Sequence, residues 1–192
     1  MGEYEDRAKR HGLDVSFFQS LQTLRIEVPI AAGVDIGFST SPATVLTRCF
    51  SGLRRYQIAP RLFVFGRHSK AVADILRDCE RINSLLIYVL DNYAFSIELN
   101  NSTLTTRVNL MAGFPSRDGT DGEHLFSALS EIAGELRLAH LADSMPAKPT
   151  GNRWGPARIR TISIICAGLS PLLAVILLFA WFIHHSPSLL HR

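Results

Sequence analysis

The chain has 192 residues, of which 47% are hydrophobic and 19% charged, a balance that suits one folded domain with an appendage and excludes a disordered chain. The net charge of +3 is only mildly basic, so it gives no reason to expect a nucleic-acid partner. Three widely spaced cysteines exclude a disulfide framework and a zinc pattern.

The first part of the chain carries strand patterns after a charged N-terminal segment. Residues 3–21 predict a short helix. Apolar residues alternate with polar or small ones over residues 24–30 and 34–38, which is typical of strands with one buried face. Residues 61–65 are wholly apolar after the first and predict a central strand.

Two longer segments show helical periodicity. Over residues 70–90 the apolar positions fall on one helical face, and Ser69 is a candidate N-cap. Residues 122–141 show the same periodicity, with Thr120 and Glu123 in capping-box register. We therefore predict two main helices.

Between these helices, residues 95–99 and 104–110 alternate on either side of an Asn-Asn-Ser turn and predict a β-hairpin. The order of strands and helices indicates the α+β class, with an antiparallel sheet of about five strands and helices on one face. We assign residues 1–142 to this domain.

The last third of the chain has a different composition. Residues 143–160 are rich in proline, glycine and basic residues and predict a linker. Residues 161–183 carry no charge over 23 positions, which predicts a single C-terminal transmembrane helix. Residues 184–192 are predicted to form a short exposed tail.

Charges beside the apolar segment predict its orientation. Basic residues precede it and only Arg192 follows it, so the positive-inside rule places the domain in the cytoplasm. A charged N-terminus that cannot be a signal peptide, together with a low lysine content, suits a bacterial inner membrane. Ala167 and Pro171 are a weak signal for homodimer packing. The predicted flank of the membrane anchor consists of Arg153, Trp154, Arg158, Arg160 and Trp181.

The search for chemistry yields no catalytic, nucleotide-binding or zinc motif. Asp118 and Asp121 lack the spacing of a calcium loop, so we expect no metal and no cofactor. One basic stretch is a weak candidate site for an anionic ligand or a lipid headgroup, and the alternative is a solvated rim around a strand. Its residues are Arg54, Arg55, Arg61, Arg67 and His68.

Three functions remain open from the sequence. The first is a membrane-anchored, non-catalytic interaction or scaffold module on the cytoplasmic face, whose partners are the lipid bilayer and a membrane-associated protein. The second is a sensor domain that binds a small or anionic ligand in a pocket lined by arginines. The third is an enzyme, which would need polar residues such as Cys49, His68, Asp35 and Asp91 to meet in a cleft.

Overall fold

A computed structural model describes most of the chain. The described residues are 2–18, 23–30, 32–42, 54–109, 120–139, 141, 151–152 and 154–185. The strands are β1 (Asp14–Phe18), β2 (Thr23–Pro29), β3 (Ile36–Ser39), β4 (Tyr56–Ala59), β5 (Leu62–Gly66), β6 (Ala94–Asn100) and β7 (Thr103–Asn109). The helices are α1 (Gly2–Arg10), α2 (Ser69–Leu76), α3 (Glu80–Asn92), α4 (Thr120–Leu138) and α5 (Pro156–His185).

The described strands form one sheet of seven strands in the order β1-β2-β7-β6-β3-β5-β4, and every neighbouring pair is antiparallel. The predicted α+β class and antiparallel sheet are confirmed. The predicted hairpin is also present as β6 and β7, joined through Asn101 and Ser102.

The predicted number of about five strands is wrong. Strand β1 falls in the stretch predicted to be an N-terminal helix, but that helix ends at Arg10, and Gly12 follows it with a φ of 70°. Glycine adopts this left-handed conformation without a steric penalty, so it ends the helix and turns the chain. Strand β4 has four residues at the sheet edge, too few for a clear alternation.

The single helix predicted over residues 70–90 is two helices, α2 and α3, separated at Arg77–Cys79. Cys79 has a non-helical ψ of 70°, and the Asn83 side chain donates to the carbonyl oxygen of Leu76 at 2.9 Å. The predicted N-cap is displaced by one residue, because His68 occupies that position. Ser69 instead donates its hydroxyl to the carbonyl oxygen of Gly66 at 2.8 Å.

The core lies between one face of the sheet and helices α2, α3 and α4. Alternate strand residues point to this face and are buried, among them Ile26, Ile97, Leu99, Leu104 and Val108. The other face of the sheet is largely polar at its centre. Its side chains there include Arg25, Glu27, Glu98, Thr105 and Arg107.

The C-terminal transmembrane helix predicted at residues 161–183 is not found. Across the described ranges of the chain, no helix combines the length and the apolar character needed to cross a membrane. Helix α5 begins earlier, at Pro156, and its first turns pack on the polar face of the sheet, where Ile159 is buried against Phe65. The helices therefore do not all lie on one face.

Asn152, within the segment 143–160 that is predicted to be a linker, contacts the domain. Asn152 is buried, its backbone N–H donates to Gly66, and its side chain donates to the carbonyl oxygen of Arg54 at 2.7 Å. The rest of that segment lies largely outside the described residues, as do most of the predicted tail and the Asp118 loop.

Candidate functional site

The first turns of helix α5, called its base below, pack on the polar face of the sheet. Phe65 and Ile159 form a small buried cluster, with Trp154 and Ile162 packed around it. A close approach is possible because residue 37 is glycine. A Cβ atom there would lie 2.7 Å from the Phe65 ring and 3.1 Å from Pro156 Cβ. The sequence of β3 therefore leaves room for the first turn of α5.

An ion cluster joins α5 to the centre of the sheet. Glu98, whose side chain is 3% exposed, accepts from Arg107 at 3.1 Å and also accepts from Arg160. The two arginines come from the neighbouring strand and from α5, so one buried carboxylate holds two cations. A carboxylate withdrawn from water is costly unless such partners satisfy it.

A cavity of about 370 Å³ opens beside this cluster, between the sheet and α5. Its volume lies within the range of small-molecule sites, roughly 300–1,000 Å³. The polar residues that line it are Ser39, Ser41, Arg55, Ser96, Arg160 and Ser163. The apolar residues that line it are Phe38, Pro42, Phe65, Phe95 and Ile164.

Arg55 is held in place on one wall of the cavity. Its guanidinium carbon lies 5.4 Å from the centre of the Phe65 ring, a cation–π distance. The same guanidinium donates to Ser39 Oγ at 3.1 Å and to the carbonyl oxygen of Ser41. Burial lowers the pKa of Arg55 below its usual value, because water is withdrawn from the charged form.

Arg160 supplies the second cation. Burial lowers its pKa, the Glu98 carboxylate raises it, and the nearby Arg107 lowers it again. The guanidinium stays charged at neutral pH, since arginine is not deprotonated in proteins. Both cations of the cavity are thus partly stripped of water, which strengthens their attraction for an anion.

Two hydroxyl groups beside these cations are buried without a partner. Ser96 Oγ and Ser163 Oγ make no hydrogen bond to any of the described residues. Ser96 as a whole is 3% exposed. Buried polar atoms are nearly always satisfied in folded proteins, so an unsatisfied pair lining a cavity indicates a place for a hydrogen-bonding ligand.

No protein-family model, curated protein or solved structure matches this chain.

The basic stretch predicted as a ligand site is dispersed, and of its five residues only Arg55 lines the cavity. Arg54 is exposed, and its backbone carbonyl holds Asn152. Arg61 is exposed and pairs with Asp91 at 3.2 Å. Arg54 and Arg61 lie at opposite ends of strand β4, which separates their side chains.

The other two predicted residues lie at the turn after β5. Arg67 pairs with Asp35 at 3.7 Å, and His68 Nδ1 accepts from the backbone N–H of Asp35 at 3.2 Å. Asp35 and His68 are the only two of the four residues named for an enzyme that meet within the described part of the chain, and neither lines the cavity. Cys49 lies outside the described residues, and Asp91 pairs with Arg61.

The residues predicted to flank a membrane anchor fall at two places. Arg158 lies over the Trp154 ring at 5.2 Å where α5 begins, while Arg160 points into the ion cluster. Trp181 is 60% exposed near the far end of α5. Arg153 lies outside the described residues.

Sequence reasoning missed Ser96, Glu98 and Ser163 as site residues. Glu98 alternates with Ile97 and Leu99, so its position on the polar face was visible, but its burial was not. The residue that covers it, Arg160, is 62 positions away along the chain. No three histidine, cysteine or acidic side chains gather as a metal site in the described part of the chain.

Proposed function

We propose that this protein is a membrane-attached, non-catalytic interaction module. The outer part of α5, residues 175–182, is embedded among lipid acyl chains, and the α+β domain is displayed at the membrane surface. The observation that carries the proposal is the exposure of α5. Its residues 175–179 are all large and apolar, and each is between 55 and 67% exposed.

The arrangement of these residues favours lipid over a protein groove. Successive residues of a helix are about 100° apart, so five in a row point in every direction around the axis. A groove on another protein covers one face of a helix, whereas a helix that is apolar all round is covered only by a surrounding apolar phase. Embedding in acyl chains supplies that phase, and it does not require that the helix cross the bilayer.

The energetics of embedding are favourable. Burying one Val, Leu, Ile or Phe side chain contributes roughly 1.5 kcal/mol or more, so residues 175–179 together contribute on the order of 7 kcal/mol. Trp181 and Phe182 are also more than half exposed and extend the apolar surface. The combined gain is of the same order as that of one lipid acyl chain.

The base of α5 suits the polar zone of a membrane. Arg158 is exposed and stacks on Trp154, which combines a cation and an aromatic ring as interfacial residues commonly do. Basic residues at this end suit the cytoplasmic leaflet, because its anionic lipids attract them. A domain held there has a raised effective concentration toward other membrane components, which is the physical advantage of a tethered scaffold.

Flotation of the full chain with phosphatidylcholine vesicles tests the proposal. We expect the protein to rise with the vesicles, and the double variant Leu177→Asp, Phe179→Asp to reduce the floated fraction at least tenfold. An aspartate within the acyl-chain region costs up to about 3 kcal/mol. Tyr88→Asp, at an exposed position of α3, is the matched control and should float like the parent protein.

Two outcomes contradict the proposal. The parent protein would remain at the bottom of the gradient with the vesicles at the top, or the double variant would float as completely as the parent. Circular dichroism of each variant verifies that the domain is folded, since neither substituted residue of α5 lies in the core.

A ligand sensor is the second candidate function, and the cavity is the observation that favours it. One wall of the cavity comes from Ser96 of β6 and from Arg55, just before β4, and the other comes from α5 through Arg160 and Ser163. A ligand that contacts both walls stabilises the docked position of α5, because it binds that position more tightly than any other.

A further inference from the structure

The sensor candidate leaves open which ligand the cavity takes. We propose that the cavity between the sheet and α5 binds a phosphate group, carried by an acidic lipid headgroup or by a free phosphate, between Arg55 and Arg160. This inference rests on the sensor candidate, and it does not depend on the embedding of α5 in lipid.

The charge around the cavity favours an anion. Arg55, Arg107 and Arg160 bring three positive charges to this part of the sheet, and Glu98 neutralises one of them. The remaining two positive charges are partly buried, where Coulomb interactions are several times stronger than in water. No acidic side chain lines the cavity itself in the described part of the chain.

The donors in the cavity suit a group with several oxygen atoms. Arg55 and Arg160 present planar guanidinium groups, which bind phosphate through paired N–H donors. Ser96 and Ser163 add hydroxyl groups that have no hydrogen-bond partner among the described residues. Arg55 lies just before β4, Ser96 lies in β6, and Arg160 and Ser163 lie in α5, so donors line the cavity from both the sheet and the helix.

Ser96 is the strongest single indication of a ligand. It is 3% exposed in strand β6, it lines the cavity, and its hydroxyl has no hydrogen-bond partner among the described residues. Alanine at this position would remove an unsatisfied oxygen and leave the apolar contacts intact. The Ser96 hydroxyl gains a hydrogen-bond partner when it donates to a molecule that enters the cavity.

The apolar lining indicates how a lipid could present the phosphate. Phe65, Phe95 and Ile164 lie beside the polar groups, and Ile164 is also 65% exposed. A headgroup between the arginines would therefore place its chains along the apolar surface of the helix. A free phosphate ester would use the same polar groups without this contact.

Calorimetric titration of the full chain in uncharged detergent micelles tests the inference. The probes are inorganic phosphate and dihexanoyl phosphatidic acid, with dihexanoyl phosphatidylcholine as the uncharged comparison. We expect at least one of the two anionic probes to bind and the phosphatidylcholine to show no specific binding. Saturation by phosphatidic acid alone identifies a lipid headgroup as the source, and saturation by inorganic phosphate identifies a free phosphate.

Variants separate binding from structure. Arg55→Gln should weaken binding of the active probe at least tenfold, and Ser96→Ala should weaken it severalfold. The matched control is Arg61→Gln, which removes an exposed arginine that pairs with Asp91 outside the cavity, and its affinity should be unchanged. Ser96→Ala should not lower the Tm of the ligand-free protein, whereas a purely structural serine would.

Three results overturn the inference: neither anionic probe binds, the uncharged lipid binds equally well, or Arg61→Gln weakens binding as much as Arg55→Gln. The assay uses micelles instead of vesicles, so a failure here is distinct from a failure of the flotation experiment. The protein could float without binding phosphate, or bind phosphate without floating.

Discussion

The Arg160 guanidinium of α5 donates to the Glu98 carboxylate at the centre of the sheet. Through this contact helix α5 is joined to a strand in the middle of the seven-stranded sheet, and Arg107 donates to the other oxygen of the same carboxylate at 3.1 Å. The base of α5 is thus part of the folded domain. Its fixed position on the sheet defines one wall of the cavity.

Removal of this carboxylate should strongly destabilise the protein. Glu98→Ala leaves Arg107 and Arg160 facing each other without a counter-charge, and the loss of one partner of a buried pair costs about 3 kcal/mol. Urea unfolding measures the change. Glu131→Ala is the control, because Glu131 pairs with Arg81 at an exposed site, and its effect should be far smaller. Equal effects of the two substitutions would contradict the assignment of a buried ion pair.

The Asn83 side-chain amide makes a hydrogen bond across the break between α2 and α3. Asn83 is buried and donates to the Leu76 carbonyl oxygen at 2.9 Å, so Asn83→Ala leaves that oxygen with only the bond from the Cys79 N–H and should lower the unfolding free energy by about 1 kcal/mol. Asn92→Ala is the matched control, because Asn92 makes the same kind of bond, to Tyr88, at an exposed site. Denaturant unfolding measures the unfolding free energy of both variants. A larger loss for Asn92→Ala than for Asn83→Ala would contradict the stabilising role of the buried amide.

Stability should fall on acidification through His68. Burial lowers its pKa below 6.5, with Asp35 opposing and Arg67 adding to the shift. A lowered pKa of a base means that the folded state disfavours the proton, so this contribution to stability is present above pH 6.5 and is lost as the pH falls through the folded pKa. Protonation of Nδ1 also removes the acceptor of the Asp35 N–H.

The unfolding free energy at pH 8 and pH 5 measures this effect for the parent protein and for His68→Gln. Burial raises the pKa of Asp35, which therefore acts in the opposite direction, and the difference between the two proteins isolates His68 together with its coupling to Asp35. We expect the advantage of the parent protein to shrink at pH 5. A difference that is the same at both values would show that His68 does not contribute to the pH dependence.

The β6–β7 hairpin and helix α4 could be predicted because their signals are local. Alternation around the Asn-Asn-Ser turn marks the hairpin, and the spacing of Leu125, Leu129 and Ile132 marks the buried face of α4. These patterns depend on neighbours within a few residues of one another.

The cavity could not be predicted, because its walls come from distant parts of the chain. The sequence groups Arg55 with four other basic residues, and nothing in their spacing indicates that only Arg55 lines a cavity together with Arg160. Ser96 and Ser163 are small polar residues whose burial depends on the docking of α5. Tertiary contacts of this kind leave no linear pattern.

The environment of Trp181 tests the central claim most directly. The chain has two tryptophans, so Trp154→Phe leaves Trp181 near the end of α5 as the only one, and Trp181→Phe leaves Trp154, which packs at the base of the helix. Each variant is mixed with vesicles whose acyl chains carry bromine, which quenches fluorescence on contact.

We expect the emission of Trp181 to shift to the blue and to be strongly quenched by the brominated chains, and the emission of Trp154 to be quenched much less. Emission from Trp181 that is the same with brominated vesicles as with ordinary ones, at the wavelength typical of water, would contradict the attachment of this protein to membranes through α5.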